Sequence, residues 1–136
     1  MSTVSDRLQC VVVTPERTLF DQPVDFVALP LYDGELGVAP GRAPLIGRLG
    51  FGEMRTNVGG VTHRYFLDGG FAQVRENVVT VLTNRAIPAE QIDPAAAAAE
   101  LERAKAQPAP TEAEQAAKMR AVERARAQVH IASKRG

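Results

Sequence analysis

One change of pattern constrains the fold more than any other feature of this chain. Up to Ile87-Pro88 the sequence reads as strands and turns, and after it as helices. Residues 7–83 contain short runs rich in β-branched residues, such as RLQCVVV and VVTVLT, separated by Gly, Asn, Asp or Pro. No helical periodicity interrupts them, which favours an antiparallel sandwich or barrel over a parallel βαβ sheet. The sequence therefore predicts a β domain over residues 1–88.

Turn-forming residues mark where the predicted strands begin and end. The first strand stops at Thr14-Pro15, because proline has no backbone N–H to give to a neighbouring strand. Glycine and asparagine tolerate the positive backbone angles that tight turns need. The further predicted turns are Asp21-Gln22, Val58-Gly59-Gly60, Asp68-Gly69-Gly70 and Glu76-Asn77.

A helical hairpin is predicted after the strands. Asp93 precedes Pro94, which places an N-cap before a proline at the first helical position. A Pro-Ala-Pro break ends this alanine-rich helix, and Thr111 with Glu114 then fits the capping box of a second one. A break this short gives an antiparallel pair. The predicted bounds are about 93–107 and 111–133 for the helices and 89–136 for the domain.

The predicted hairpin has few apolar anchors. Leu101 is the only large apolar side chain inside the first helix, and on the second helix Ile131 lies off the main stripe. Ordering each residue costs about 1–2 kcal/mol of backbone entropy, so a hairpin with so little to bury is expected to be marginal alone and able to detach. The stripe consists of Met119, Val122, Ala125, Val129 and Ala132.

Composition and charge narrow the classes of partner. Hydrophobic residues make up 45% of the 136 residues, enough for a packed core. The 16 basic and 16 acidic residues balance, which argues against a nucleic-acid surface. Residues 91–136 nonetheless carry eight bases and six acids, so the C-terminal segment suits an acidic partner. No signal core and no run of about 20 apolar residues is found, so no membrane insertion is predicted.

No catalytic, metal or cofactor site is predicted. Cys10 is the only cysteine and lies in an apolar run, as a core residue would. His63 and His130 have no second ligand at metal spacing, and the glycines form no phosphate-binding motif. Residue chemistry alone thus indicates a small β domain with a helical tail, built for protein contact. A free-standing binding module and a small enzyme with a polar pocket remain alternatives.

Two blocks of sequence resemble one known family. GELGVAPGRAPL (residues 34–45) is similar to the pattern G-E-L-G, a short gap, P-G-H-A-P-L of the epsilon subunit of F-type ATP synthase, called delta in mitochondria. YFLDGGFAQVRENVVTVLTNRAI (residues 65–87) resembles the end of that family's sandwich, and the helical hairpin follows at the expected place. Arg42 departs from the pattern, since it stands where histidine is usual.

The resemblance implies a fold, a role and partners. The fold is a roughly ten-stranded antiparallel β-sandwich followed by two antiparallel helices. The role is non-catalytic: the sandwich docks on the gamma subunit, sits on the c-ring and rotates with both, coupling proton flow to ATP synthesis. The hairpin can extend to the alpha and beta subunits and inhibit ATP hydrolysis. The implied location is the cytoplasmic face of a bacterial inner membrane, within the synthase.

The resemblance also implies contact residues. The motif for binding ATP at the first helix, I/L-D-x-x-R-A, is incomplete because Ala96 replaces the arginine, so ATP binding no tighter than millimolar is predicted. The implied contacts are Asp33, Gly34, Glu35 and Leu36 with the c-ring; Arg42, Ala43 and Pro44 with gamma; Lys118, Arg120, Arg124 and Arg126 with beta; and Ile92 and Asp93 with nucleotide, their match to the motif being partial.

Overall fold

The computed structural model describes residues 7–134 and divides them into a strand-rich region and two helices. The ends of the two predicted domains, residues 1–6 and 135–136, lie outside the described residues. A 3₁₀ turn at Ala89–Gln91 joins the strands to the helices. The elements are β1 (Leu8–Val13), β2 (Thr18–Val24), β3 (Phe26–Leu31), β4 (Gly34–Val38), β5 (Leu45–Val58), β6 (Val61–Arg75), β7 (Val78–Leu82), β8 (Ala86–Pro88), α1 (Pro94–Ala106) and α2 (Glu112–Ser133).

The eight described strands form one hydrogen-bonded sheet in the order β2-β1-β7-β6-β5-β3-β4, with β8 on β6. Side chains from both halves of the sheet meet in one core, as in a sandwich. The predicted β-sandwich with a C-terminal hairpin is therefore confirmed, with eight strands rather than about ten. One pair also departs from the antiparallel prediction, because β1 and β7 run parallel.

A long hairpin of β5 and β6 forms the centre of the sheet. The two strands pair from Leu45↔Val74 to Val58↔Val61, and Gly59-Gly60 closes them with positive φ at both residues, as predicted. The predicted turn at Asp68-Gly69-Gly70 is wrong, because these residues lie inside β6. Both glycines have positive φ, so they bend the strand without ending it.

The predicted turn at Asp21-Gln22 is also wrong. Both residues lie inside β2, which pairs with β1 as an edge strand. β2 also contains Pro23, which an edge strand accepts because one of its sides has no ladder of hydrogen bonds to lose. The other predicted turns, after β1 and at Glu76-Asn77 between β6 and β7, are confirmed.

The main core lies between the two halves of the sheet. Cys10 is fully buried in it, as predicted, and burial with the nearby Asp21 charge raises the pKa of its thiol to about 12. The rings of Phe20 and Tyr65 pack against each other at the edge of this core, with 5.3 Å between their centroids. The buried residues are Leu8, Cys10, Val12, Val24, Val27, Leu29, Val38, Leu49, Met54, Leu67, Ala72, Val74, Val79 and Val81.

The two predicted helices are present with their predicted caps. The Asp93 carboxylate accepts hydrogen bonds from the N–H groups of Ala95 and Ala96, and Thr111 Oγ1 accepts one from Glu114 N–H. The predicted stripe on α2 needs two corrections. Ile131, placed off the stripe, is 1% exposed, whereas Met119 is 65% exposed. Ile131 points into a second core that joins the hairpin to the sandwich, formed by Phe66, Ala89, Ile92, Ala97, Ile131 and Ala132.

Candidate interaction surfaces

The segment implied to meet the c-ring, residues 33–36, is only partly a turn. Asp33 lies in the turn, whereas Gly34, Glu35 and Leu36 belong to β4, which pairs with β3 and is an edge strand. Asp33, Gly34 and Glu35 are exposed, and Leu36 is half-buried. The segment therefore presents its polar residues on a strand whose position the sheet determines.

Glu35 is exposed, but a partner on β5 holds its side chain in place. The Arg55 guanidinium donates to both carboxylate oxygens, at 2.7 and 2.9 Å. These hydrogen bonds lower the pKa of Glu35 below its usual value and raise that of Arg55. β3 lies between β4 and β5 in the sheet, so Glu35 and Arg55 meet across an intervening strand. Their pairing could not be predicted from the sequence, because it depends on this strand order.

The segment implied to meet gamma lies in the loop between β4 and β5. Arg42, Ala43 and Pro44 are all exposed and directly precede β5. The Gly41 N–H donates to the Asn77 side chain at 2.8 Å, which ties this loop to the turn between β6 and β7. The loop is thus anchored while its side chains stay available.

An exposed apolar surface continues from this loop across three strands. Ile46, Phe71 and Leu82 are 76%, 55% and 51% exposed. Phe71 pairs with Arg48 on β5 and with Leu82 on β7, and cross-strand partners point to the same side of a sheet. Ile46 lies two residues before Arg48 and so shares that side. We call Ile46, Phe71 and Leu82 the outer apolar face.

Sequence reasoning missed the outer apolar face. The sequence held a sign of it, because Ile46 and Phe71 each lie two residues from a polar residue of the same strand, Arg48 and Gln73. Residues two apart in a strand point to the same side, which here is the polar side. Apolar residues at solvent-facing positions of a strand mark contact surfaces when they cluster. Only the register of β5, β6 and β7 shows that these particular residues are neighbours.

The hairpin contacts the sandwich through two buried carboxylates. Asp68 accepts a hydrogen bond from Arg124 Nε at 2.9 Å, and the Arg124 guanidinium also lies 4.8 Å from the Phe51 ring. Glu53 lies 3.5 Å from Lys134 Nζ at the end of α2. The Asp68 and Glu53 side chains are only 9% and 7% exposed, so the charge of each carboxylate needs partners at close range.

The four basic residues implied to meet beta do not share one environment. Arg120 and Arg126 are exposed and Lys118 is half-buried. Arg124 instead faces the sandwich through Asp68. In this docked form of the hairpin, the four side chains do not present a single basic patch.

The residues of the incomplete nucleotide motif line a cleft between the hairpin and the sandwich. Its volume is about 360 Å³, and Ile92, Asp93 and Ala96 form part of its wall. Ile92 is buried in the second core, and Asp93 is occupied as the cap of α1. The arginines that line the cleft, Arg85 and Arg124, both contact Asp68. Little positive charge is therefore left over for a phosphate.

Within residues 7–134, no group of three or more His, Cys, Asp or Glu side chains is placed to hold a metal ion. In the same part of the chain, neither helix combines the length and the apolar character needed to cross a bilayer.

Known proteins are similar to this chain along most of its length. A family model described as the β-sandwich domain of the ATP synthase delta/epsilon chain matches residues 7–89. The ATP synthase epsilon chain of Rhodopirellula baltica is 53% identical over 122 residues, which cover 90% of this chain and 95% of that one. The epsilon chain of Pelotomaculum thermopropionicum is 47% identical over 104 residues, 76% of each chain.

Solved structures of ATP synthases also contain chains with a similar fold. One chain in the Euglena gracilis mitochondrial ATP synthase structure, which contains OSCP, F1 and the c-ring, superposes with a TM-score of 0.83 at 28% identity, covering 92% of this chain and 81% of that one. A chain of the central stalk and c-ring of Tetrahymena thermophila shares the fold, with a TM-score of 0.74 at 13% identity over 96% of this chain and 99% of that one. This chain belongs to the epsilon-chain family of the F-type ATP synthases.

Proposed function

We propose that this chain is the central-stalk rotor subunit that links gamma to the c-ring during proton-coupled ATP synthesis. Family membership supports the role, as does its likeness to a chain of a solved assembly that includes F1 and the c-ring. The chain is part of an enzyme complex and supplies no catalytic group of its own. It works on the cytoplasmic face of a bacterial inner membrane, held there by its partners.

The outer apolar face carries the proposal for gamma binding. Ile46, Phe71 and Leu82 keep more than half of their surface in water in this chain. Covering such side chains gains roughly 25 cal/mol for each Å² of apolar surface buried, so a partner that fits them binds favourably. Arg42–Pro44 lie beside Ile46 and extend the surface at its edge. Gamma therefore meets the loop and the outer apolar face together.

The c-ring contact is proposed for residues 33–36. The bidentate contact with Arg55 limits the rotamers of Glu35, which makes its carboxylate a rigid feature of an edge strand. A rotor must transmit torque between two partners, and a preorganised contact loses less entropy when it forms. Residues 37–41, which include the end of β4, lie between this segment and the loop proposed to meet gamma, so the two contacts use different residues.

The hairpin is proposed to inhibit ATP hydrolysis by leaving the sandwich and reaching the alpha and beta subunits. Its attachment is small, because Ile131 is the only large apolar side chain that α2 buries fully. Arg120 and Arg126 are already exposed, and Arg124 joins them only when it lets go of Asp68. Release would thus assemble a basic surface that suits an acidic partner.

Binding to the cognate gamma subunit tests the rotor role. We expect stable one-to-one binding in a pull-down, and a loss of at least tenfold in affinity for Phe71→Glu, because a charge is placed in a surface that must lose its water. Val61→Glu is the matched control, since Val61 is equally exposed, at 56%, but lies at the other end of β6. Absence of binding by the unaltered chain would favour a free-standing binding module. Equal losses for the two variants would mean that gamma docks elsewhere.

A further inference from the structure

The hairpin docks onto carboxylates that keep a second cationic partner on the sandwich. Asp68 Oδ1 contacts Arg124 of the hairpin at 2.9 Å, while Asp68 Oδ2 contacts Arg85 of the sandwich at 3.5 Å. Glu53 contacts Lys134 of the hairpin at 3.5 Å and the sandwich arginines Arg55 and Arg64 at 3.3 Å each. Among residues 7–134, each ionic contact of the hairpin with the sandwich is therefore made to a carboxylate that also contacts an arginine of the sandwich.

The sandwich itself holds Arg85 beside Asp68. The two residues are joined through their backbones, because the Asp68 N–H donates to the Arg85 carbonyl at 3.0 Å. Thr83 and Asn84, which also contact Asp68, belong to the same short segment between β7 and β8. Arg124 has no such tie, and its hold on Asp68 depends on the packing of α2.

A second cation changes what release of the hairpin costs. Removing the partner of a buried carboxylate normally leaves an uncompensated charge, which is strongly unfavourable. When α2 leaves, Arg85 can satisfy Asp68, so the released state is stabilised. In the docked state, Arg85 and Arg124 are like charges at one carboxylate, and their repulsion weakens the docking. Both effects make docking easier to reverse.

We propose that Arg85 and Arg124 compete for Asp68, and that this competition sets how readily the hairpin leaves the sandwich. Arg124 acts as a latch, and Arg85 acts as the counter-ion that remains with Asp68 when Arg124 leaves. The inference rests on the ability of the hairpin to leave, which is part of the proposed function. It assigns the control of that step to three residues of this chain and needs no bound ligand.

Hydrogen exchange of the α2 amides in the full chain tests the competition, because two substitutions should change the exchange rate in opposite directions. Arg124→Gln should speed exchange roughly tenfold, because the docked state loses its contact with Asp68. Arg85→Gln should slow exchange about threefold, because the released state loses its counter-ion. Arg120→Gln, on an exposed position of the same helix, is the control and should change nothing. Amides of β1 and β7 report whether the sandwich stays folded in each variant.

Asp68→Asn provides the cross-check. Without the charge on Asp68 there is nothing to compete for, so Arg85→Gln should have no effect in that background. Faster or unchanged exchange in Arg85→Gln alone would overturn the competition. Exchange of α2 only together with the sandwich core, in all variants, would overturn both the competition and the proposed movement of the hairpin. Binding to gamma, measured separately, would still decide the rotor role.

Discussion

At the scale of single residues, Gly70 shows how the sheet bends. Its φ is +109°, and a Cβ added there would lie 1.9 Å from the carbonyl oxygen of Leu82. Backbone atoms cannot move aside as the end of a side chain can. Only glycine therefore allows β6 to approach β7 here. Gly59, in the turn between β5 and β6, also has positive φ but open space around its Cα.

These two glycines give a matched pair for stability measurements. Gly59→Ala should lower the free energy of unfolding by about 1–2 kcal/mol, from backbone conformation alone. Gly70→Ala adds a clash with the backbone of Leu82 and should cost at least about 3 kcal/mol. Denaturant unfolding curves of the two variants measure the difference. Equal losses would show that β6 can move away from β7 at little cost.

The same residues show what local sequence can and cannot predict. Turn chemistry at Asp68-Gly69-Gly70 correctly signalled unusual backbone angles, but not that β6 would continue through them. That outcome depends on the partners on both sides of β6, which are distant in sequence. The contact with the c-ring that the resemblance implies for Glu35 requires an exposed side chain, which the structure shows. The pairing of Glu35 with Arg55 across β3 could not be predicted, because the pair depends on strand order.

At the scale of elements, α2 shows why the predicted apolar stripe needed two corrections. The predicted stripe assumed that the helix faces one partner along its whole length. In the structure α2 lies beside α1 and also packs against β5 and β6, where Ile131 and Ala132 enter the second core. Two partners in different directions bury two different faces. Met119 therefore stays exposed while Ile131 is buried. The helix caps were predictable because they depend on residues a few positions apart.

Truncating these two α2 side chains should separate docking from helix formation. Ile131→Ala removes the main apolar anchor in the second core, a change that usually costs about 2–5 kcal/mol at a buried site. We expect the hairpin of this variant to be cleaved much faster by trypsin, with the sandwich intact. Met119→Ala should be cleaved at the unaltered rate, since Met119 contributes little burial. Similar cleavage of both variants would mean that α2 is not held through Ile131.

At the scale of the whole molecule, the surface proposed for gamma and the hairpin attachment involve different residues. The outer apolar face belongs to β5, β6 and β7, while the second core joins β6, β8 and the 3₁₀ turn to the helices. Removing the hairpin should therefore leave gamma binding intact. Sequence motifs predicted the β domain and the helical hairpin in this order, because strand, turn and helix-cap patterns depend on residues close together in the chain. The outer apolar face and the Asp68 contacts could not be predicted, because they appear only when distant strands and α2 are assembled.

Deleting residues 91–136 tests the inhibitory role in the assembled synthase. We expect gamma binding to persist and ATP hydrolysis to rise, because the basic segment of α2 is gone. Added salt should raise hydrolysis by the unaltered complex toward the level of the deletion, since salt screens contacts between charges. Reversing charge at two exposed positions, Arg120→Glu with Arg126→Glu, should reproduce part of the increase while keeping the hairpin. Hydrolysis that responds to neither the deletion nor salt would exclude inhibition by this segment.

ATP binding tests how the molecule uses the cleft between its two regions. Ala96 replaces the arginine of the motif, and the remaining arginines of the cleft, Arg85 and Arg124, are engaged by Asp68. A phosphate would have to displace that carboxylate to gain them. We therefore expect calorimetric titration to give a dissociation constant no tighter than millimolar, or about −4 kcal/mol.

Asp68→Asn is the informative comparison for that titration. The variant removes the carboxylate that engages Arg85 and Arg124 in the docked hairpin, so ATP should bind more tightly to it than to the unaltered chain. Ala96→Ser, which adds no charge, is the control and should behave like the unaltered chain. Micromolar binding by the unaltered chain would show that phosphate takes both arginines from Asp68. Release of the latch would then depend on nucleotide as well as on Arg85.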